Sequence, residues 1–490
     1  MRTPTRAQLQ LGETDIADIQ IDTRSRDDIP QLLLGLQHLY ADRALREEIF
    51  ELLAKLTPET VSTEQGRPGM TWWKILVMGS LRLNLNCDYD RLQELVNNHK
   101  TLRKMLGHGF LDDDKTYYLQ TLKDNVQLFT PEILDEINQV VVRAGHKLKK
   151  KATLAGRCDS FVVETTVHYP TDINLLLDAL RKVIGLTTRY AEAADIGGWR
   201  QSEFNQKQIK RAHRQAQQMK RSTSKDDTKK AEREENIVQA HRDYIDLAGK
   251  FIDKSQMTLA AEAAPMSLVH CALIPAIEGF IHHAHRQIDQ IKRRVIEGEK
   301  IPHEEKVLSL FQPHTEWINK GKAGVPVELG LKVCVVEDIQ GYLLHHRVME
   351  KETDEQIAVE LITQTQDRYP QLRVCSFDKG FHSPNNQIEL SKQLDRLVLP
   401  KKGRCNKAEK DRESSAEFRR SRRTHSAVES AINALEVHGL DRCPDHGIDG
   451  FKRYVALAVV ARNIQKLGAE LQKKIQAQEK RKRHREKRAA

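Results

Sequence analysis

One strand-like segment, Arg157 to His168, stands apart from all others in the chain. The next, Val327 to Val336, comes only after residues 169–326, which carry no convincing strand pattern. A connection of that length needs structure of its own. Gln201 to Lys254 is rich in Lys, Arg, Gln and Glu at helical spacing, and Gly279 to Gly298 is helical in pattern again. Residues 171–324 are therefore read as a helical subdomain inserted into a sheet. After it come Val327 to Val336, Tyr342 to Val348, Leu372 to Phe377 and Arg396 to Leu399, rich in Val, Leu and Ile. Thr353 to Tyr369 and Asn385 to Leu394 read as helices between the later strands. A last helix is expected from about Ser421 to Val437, then an apolar one from Phe451 to Leu467. The order predicts an α/β fold, a mixed sheet with helices packed on it, built from residues 151–170 and 325–468.

Residues 1–150 read as an all-helical N-terminal domain. Asp27-Asp28-Ile29-Pro30 is a helix start, Gly66-Arg67-Pro68-Gly69 a turn, and Thr71 a candidate cap for Trp72 to Leu83. Asp88 or Asp90, and then Thr130-Pro131-Glu132, start further helices. A helix-turn-helix pair among them would read a DNA groove, although small helical bundles mostly just pack. Residues 469–490 read as a basic tail.

With 39% apolar and 30% charged residues, the chain of 490 can bury a core beneath a charged surface. The apolar run Val455 to Ala461 is far too short for a bilayer, and Met1 to Gln8 carries no apolar signal core, so no membrane association is expected. Seven scattered cysteines without a CxxC fit a reducing cytoplasm. The net charge of +10 is unevenly spread: Ala469 to Ala490, Gln201 to Lys230 and Lys401 to Arg423 each carry six more basic than acidic residues. Clustered positive charge attracts phosphate backbones, and solvated helix faces are the alternative for any single run. No GxxxxGK[ST] loop occurs, which argues against an ATP-driven motor.

Three acids sit at structured positions. Asp159 lies on the first strand, Asp378 ends the fourth, and Glu429 lies in the last helix. A carboxylate in or just beyond an apolar strand is costly to bury without compensation. Brought together, three acids suit two Mg²⁺ or Mn²⁺ ions and in-line phosphodiester chemistry. Taken singly, each has a plainer reading as a turn residue, a helix cap or a solvated side chain.

The ordered motifs resemble those of bacterial insertion-sequence transposases with a ribonuclease-H-like DDE domain, of the ISNCY-type grouping. Asp159-Ser-Phe-Val-Val-Glu164 with Tyr169-Pro-Thr-Asp172 is similar to the first-Asp motif, and Gly321 to Val348 to the second and third strands. Asp378-Lys-Gly-Phe-His-Ser383 is similar to the second-Asp motif, His425-Ser-Ala-Val-Glu429 through Arg442 to the Glu helix, and Trp72 to Leu106 to the N-terminal domain. The resemblance implies that Asp159, Asp378 and Glu429 form a catalytic triad holding two Mg²⁺ or Mn²⁺. It further implies DNA cleavage and strand transfer, and double-stranded DNA as partner, both terminal inverted repeats and target. A homodimer or larger assembly is expected, in a cytoplasmic, nucleoid-associated setting. Some relatives carry Tyr, Arg and Lys around the Glu, where this chain has Arg422, His425 and Glu436. Arg422, Arg423 and His425 are candidate phosphate contacts, with solvated surface as the alternative.

Other candidates are weaker. Glu278, His282 and His285 share a helix face and could bind zinc, but no fourth ligand is apparent. His345 and His346 are adjacent on a strand and so point to opposite faces. Glu164, Asp172 and Glu337 are read as supporting acids. A DNA-binding protein without catalysis, and a nuclease without strand joining, are the competing classes.

Overall fold

The computed structural model describes residues 2–5, 8–57, 69–109, 111, 114–149, 154–219, 223, 225–261, 268–319 and 326–489. Gly66 to Pro68 of the expected turn, and the start of the motif at Gly321, lie outside them. The chain forms two compact units, Met1–Thr166 with Glu316–Ala490, and Val167–Thr315.

In the first unit, short polar side chains start the N-terminal helices. Asp27 Oδ1 accepts from Ile29 N (2.8 Å) to begin α1 (Asp28–Ala41), and Asp42 caps α2 (Arg43–Ala54). α3 (Trp72–Asn84) departs from expectation: Thr71 occupies the cap position but makes no capping bond. The free amides of Trp72 and Trp73 instead donate to the carbonyls of Thr3 and Pro4, so a segment distant in the chain satisfies that helix end. α4 (Tyr89–Asn98) is capped by Asp88, α5 (Lys100–Met105) by His99, and α6 (Leu119–Val126) follows. α7 (Pro131–Leu148) has Thr130 as its cap and Pro at its first position.

Among the described residues the sheet has seven strands. β1 (Leu154–Thr165) is central, antiparallel to β3 (Val327–Asp338) on one side and parallel to β5 (Leu372–Phe377) on the other. β3 carries β2 (Glu316–Asn319) and β4 (Leu343–Met349) on its far edge, both antiparallel, and β6 (Arg396–Val398) runs parallel to β5. β7 (Arg442–Cys443) pairs with the end of β1. Between β4 and β5 runs α12 (Asp354–Arg368), and between β5 and β6 runs α13 (Pro384–Gln393). β2 and β7 are too short to give a sequence pattern. The others coincide with expected strands, β1 beginning earlier, at Leu154.

Both sheet faces are covered, which is why apolar residues of β1 and β3 are buried on either side of the sheet. Phe161, Val163, Leu331, Val333 and Val335 join the N-terminal helices in one core, while Cys158, Cys334, Val336 and Phe377 pack with Ile357, Leu361 and Leu390 in another. The helices of residues 1–150 thus share a core with the sheet. So does α17 (Gly447–Ala489), which buries Phe451, Val455, Val459, Val460, Ile464 and Leu467. Residues 469–489, within the expected basic tail, continue α17, because Lys, Arg, Gln, Glu and Ala all favour helix and no proline interrupts them.

A buried amide network ties three elements together. Asn463 Nδ2 donates to Asn138 Oδ1 (2.7 Å) and to the Leu343 carbonyl (2.9 Å), and its Oδ1 accepts from Leu343 N (3.0 Å). Both amides are fully buried. Asn463→Leu should therefore destabilise the protein by about 2–4 kcal/mol, since it takes the Asn463 partner from the buried Leu343 N–H and from Asn138 Oδ1. Urea unfolding measures it.

The second unit's described residues are helical, with no strand. α8 (Asp172–Ala193), α9 (Ser202–Gln218), α10 (Asp227–Ala260) and α11 (Leu268–Ile291) enclose a core that includes Leu176, Leu180, Ile184, Tyr244, Ile252, Ile277 and Ile281. Its limits, 167 and 315, fall just before those expected for the insertion, 171 and 324.

Candidate active site

β5 ends partway along β1. In their parallel register Cys158 lies opposite Phe377, so one residue further along each chain come Asp159 and Asp378. Asp378 is still extended (φ −76°, ψ 164°). On this edge β1 is paired through Cys158 by β5 and again from Glu164 by β7, leaving Asp159 to Val163 without a strand partner there. The edge is open where the two acids stand.

Helices bring the third acid. α14 (Lys407–Ser414) leads into α15 (Ala416–His425), which packs against β5, and α16 (Ala427–Leu435) packs against β1. The expected single helix from Ser421 to Val437 is thus divided at Ser426 and ends in a π turn, Glu436–Leu440, where Gly439 takes φ 103°. Val428, Ile432 and Leu435 bury the inner face of α16, and Glu429 follows Val428 in its first turn, exposed.

Asp159 feels the charges of the other acids. The Asp159 carboxyl is pushed up to about 6, chiefly by burial; Ser160 N, donating to its Oδ1 at 2.7 Å, pulls the other way, and Asp378, Asp354 and Glu429 push it further up. Asp354 joins the acids expected from the sequence. It is the first residue of α12, its Oδ2 accepts from Lys332 Nζ (2.9 Å), and its buried Oδ1 has no hydrogen-bond partner among the described residues. An acid in the first turn of a helix is so ordinary that sequence offers no signal to distinguish it.

The basic candidates separate. Arg422 and Arg423 are exposed at the end of α15. His425 turns inward, its Nδ1 3.0 Å from Ser376 Oγ. Burial lowers its pKa, against the pull of Asp378 and Glu429 and with help from Arg157 and Arg422, so the ring is neutral at pH 7. Arg157 Nη1 donates to Glu337 Oε2 (3.1 Å), both groups largely buried, which commits Glu337 to an ion pair. Glu164 pairs with Arg442 (2.6 Å), and Asp172, in the second unit, with Arg294 (2.9 Å). His345 Nδ1 lies 2.6 Å from Arg368 Nη1 and its Nε2 3.2 Å from Gln364 Oε1; burial drives its pKa down to about 3. Glu278, His282 and His285 are exposed on α11.

Among the described residues no three His, Cys, Asp or Glu side chains stand close enough to cage one ion. This holds for the α11 triplet and for the carboxylates of β1, β5 and α16 alike. The latter share an electrostatic neighbourhood without a closed ligand shell. The donor set is all oxygen, which suits Mg²⁺ or Mn²⁺, ions that keep several waters and need only one or two carboxylates each.

The raised Asp159 pKa has a pH signature. Its ordinary value is 3.8, so in the metal-free protein its contribution to stability is present below about pH 4 and is lost as pH rises through about 6. Urea midpoints measured across that window should fall with rising pH in the wild type, and Asp159→Asn should flatten that part of the curve.

Comparison with protein-family models, with curated proteins and with solved structures finds no match in any of the three. No helix among the described residues is long and apolar enough to cross a membrane.

Proposed function

We propose that this chain is a metal-dependent DNA strand-cleaving and strand-joining enzyme, a DDE transposase of an insertion sequence with a ribonuclease-H-like catalytic domain. One observation carries the reading: Asp159 in mid-β1 feels the charges of Asp378, just past β5, and of Glu429, in the first turn of α16, and both raise its proton affinity. The sheet supports it, with β1, β3 and β4 antiparallel in succession and β5 and β6 parallel to β1.

Asp159, Asp378 and Glu429 would hold two Mg²⁺ or Mn²⁺, which supply charge stabilisation at the scissile phosphate and a water of lowered pKa. Asp159 is anchored on paired strand β1, and Asp378 directly follows the last paired residue of β5, so the sheet sets where both carboxylates leave the backbone. Glu429 enters from a helix whose buried face locks it onto β1. The exposed guanidiniums of Arg422 and Arg423 hold backbone phosphates beside the acids. Neutral His425, fixed on Ser376, packs the helix against β5.

In the first reaction water attacks a phosphodiester at the element end, and the departing strand leaves as a 3′-hydroxyl. In the second that 3′-hydroxyl attacks a target phosphodiester, one P–O bond forming as another breaks. Both ends have to be held at once, which calls for a dimer or larger assembly on double-stranded DNA, with the N-terminal helices contacting the terminal repeats.

Purified protein with Mg²⁺ or Mn²⁺ and a plasmid carrying the DNA that flanks this gene provides the test. Metal-dependent cleaved and joined products support the reading. Cleavage without joining would favour a nuclease, and tight binding without cleavage a non-catalytic DNA-binding protein.

A further inference from the structure

The second unit carries a groove of about 490 Å³ between α8 and α9, closed at one side by Phe311. Three cations of α8 line it: Arg181, Lys182 and Arg189, all exposed. None belongs to the three basic runs of the sequence, and none makes an ion pair or hydrogen bond with the described residues. Lys182 does no more than lie 5.4 Å from the Phe311 ring centre. Elsewhere in the same unit cations find acids readily: Arg293 meets Asp289, Glu299 and Glu305, and Arg294 meets Asp172. Cations left unpaired together in a concave site mark a place for an anion.

The one acid among the described residues lining the groove is already engaged. Asp178 Oδ2 lies 2.6 Å from His168 Nε2. Burial lowers the His168 pKa, but the bonds to Asp178 and to the Tyr169 carbonyl outweigh it and raise it overall. The floor is kept open by Gly185, whose added Cβ would meet nothing nearer than Gln206 Nε2 at 4.0 Å.

Length selects the ligand. At about 1.5 Å rise per residue, Arg181 and Arg189 are separated by roughly 12 Å along α8. One phosphate cannot bridge that distance, whereas successive phosphates of a nucleic-acid strand can. The exposed Lys207, Lys210, Arg211 and Arg214 of α9 extend the positive surface beyond the groove.

We propose that this groove seats the sugar-phosphate backbone of duplex DNA, which makes the inserted unit a DNA-holding surface distinct in its residues from the carboxylate site. The proposal rests on the reading that the chain works on DNA, not on catalysis. Its test is binding of the full-length protein to a labelled duplex of arbitrary sequence, without metal, as a function of salt. Arg181→Gln/Lys182→Gln/Arg189→Gln should make the slope of log K against log salt shallower by about 2–3, at about 0.9 for each phosphate no longer neutralised, and should weaken binding at least tenfold at low salt. Gly185→Leu, which fills the floor without changing charge, should weaken binding severalfold in a protein that melts like the wild type. Arg242→Gln/Lys250→Gln/Lys300→Gln removes the same charge outside the groove and should change binding less than twofold. Equal losses in both triple variants, or no loss with Gly185→Leu, would overturn the groove. Those results leave cleavage by the wild type untouched, and a wild type that binds through the groove but never cleaves would remove the catalytic reading alone.

Discussion

Alanine at Asp159, Asp378 or Glu429 should each lower metal-dependent strand cleavage by roughly a thousandfold or more, about 4 kcal/mol of transition-state stabilisation. Duplex binding should stay within a fewfold of wild type in every case. The three acids come from separate elements, and Asp159 feels the charge of both others; Asp354, which it also feels, is held by Lys332. Asparagine keeps the shape and removes the charge, and should be nearly as damaging at Asp159 and Asp378. Rates of nicking on a plasmid substrate decide the matter. A variant that cuts within tenfold of wild type would exclude that residue from the chemistry.

The second large effect concerns the frame behind the site. α1 and α17 cross so closely that a Cβ on Gly468 would stand 1.7 Å from the Gln31 carbonyl oxygen, and one on Gly35 2.2 Å from that of Ile464. Neither obstacle is a flexible side chain; both are helix backbone. Gly468→Ala should therefore cost about 3–5 kcal/mol despite the better helix propensity of alanine, because the helices have to separate. Gly35→Ala should cost a similar amount, and the pair less than the sum, since a crossing already opened accommodates the second methyl. Gly279, on exposed helix surface with nothing within 4 Å, is the control: alanine there should stabilise by up to about 1 kcal/mol. Urea unfolding of the three variants tests the contrast. A loss under about 1 kcal/mol at Gly468 would mean that the crossing is not close.

How much of this is legible in sequence depends on how local the cause is. β5 coincides with the expected Leu372 to Phe377, because six apolar-rich residues between polar turns leave little choice. The helix starts at Asp27, Asp88 and Thr130 follow from capping chemistry within three residues of the cap. Thr71 misleads because the partner that satisfies its helix is Thr3–Pro4, distant in the chain. The break at Ser426 leaves no Gly or Pro to announce it. Asp159, Asp378 and Glu429 can be named as acids at structured positions, but their convergence depends on where β5 ends along β1, a matter of register. Asp354 and the α8 cations are invisible in sequence for opposite reasons: one sits where acids commonly do, and the others lie on an amphipathic helix outside any charge run.

Anomalous scattering from Mn²⁺ soaked into crystals of the protein addresses the carboxylate centre most directly. The proposed function predicts Mn²⁺ at the oxygens of Asp159 and Asp378, beside Glu429, and loss of that signal in Asp378→Asn crystals. Mn²⁺ bound only elsewhere, or unchanged by the substitution, would contradict a metal-dependent site at these three acids.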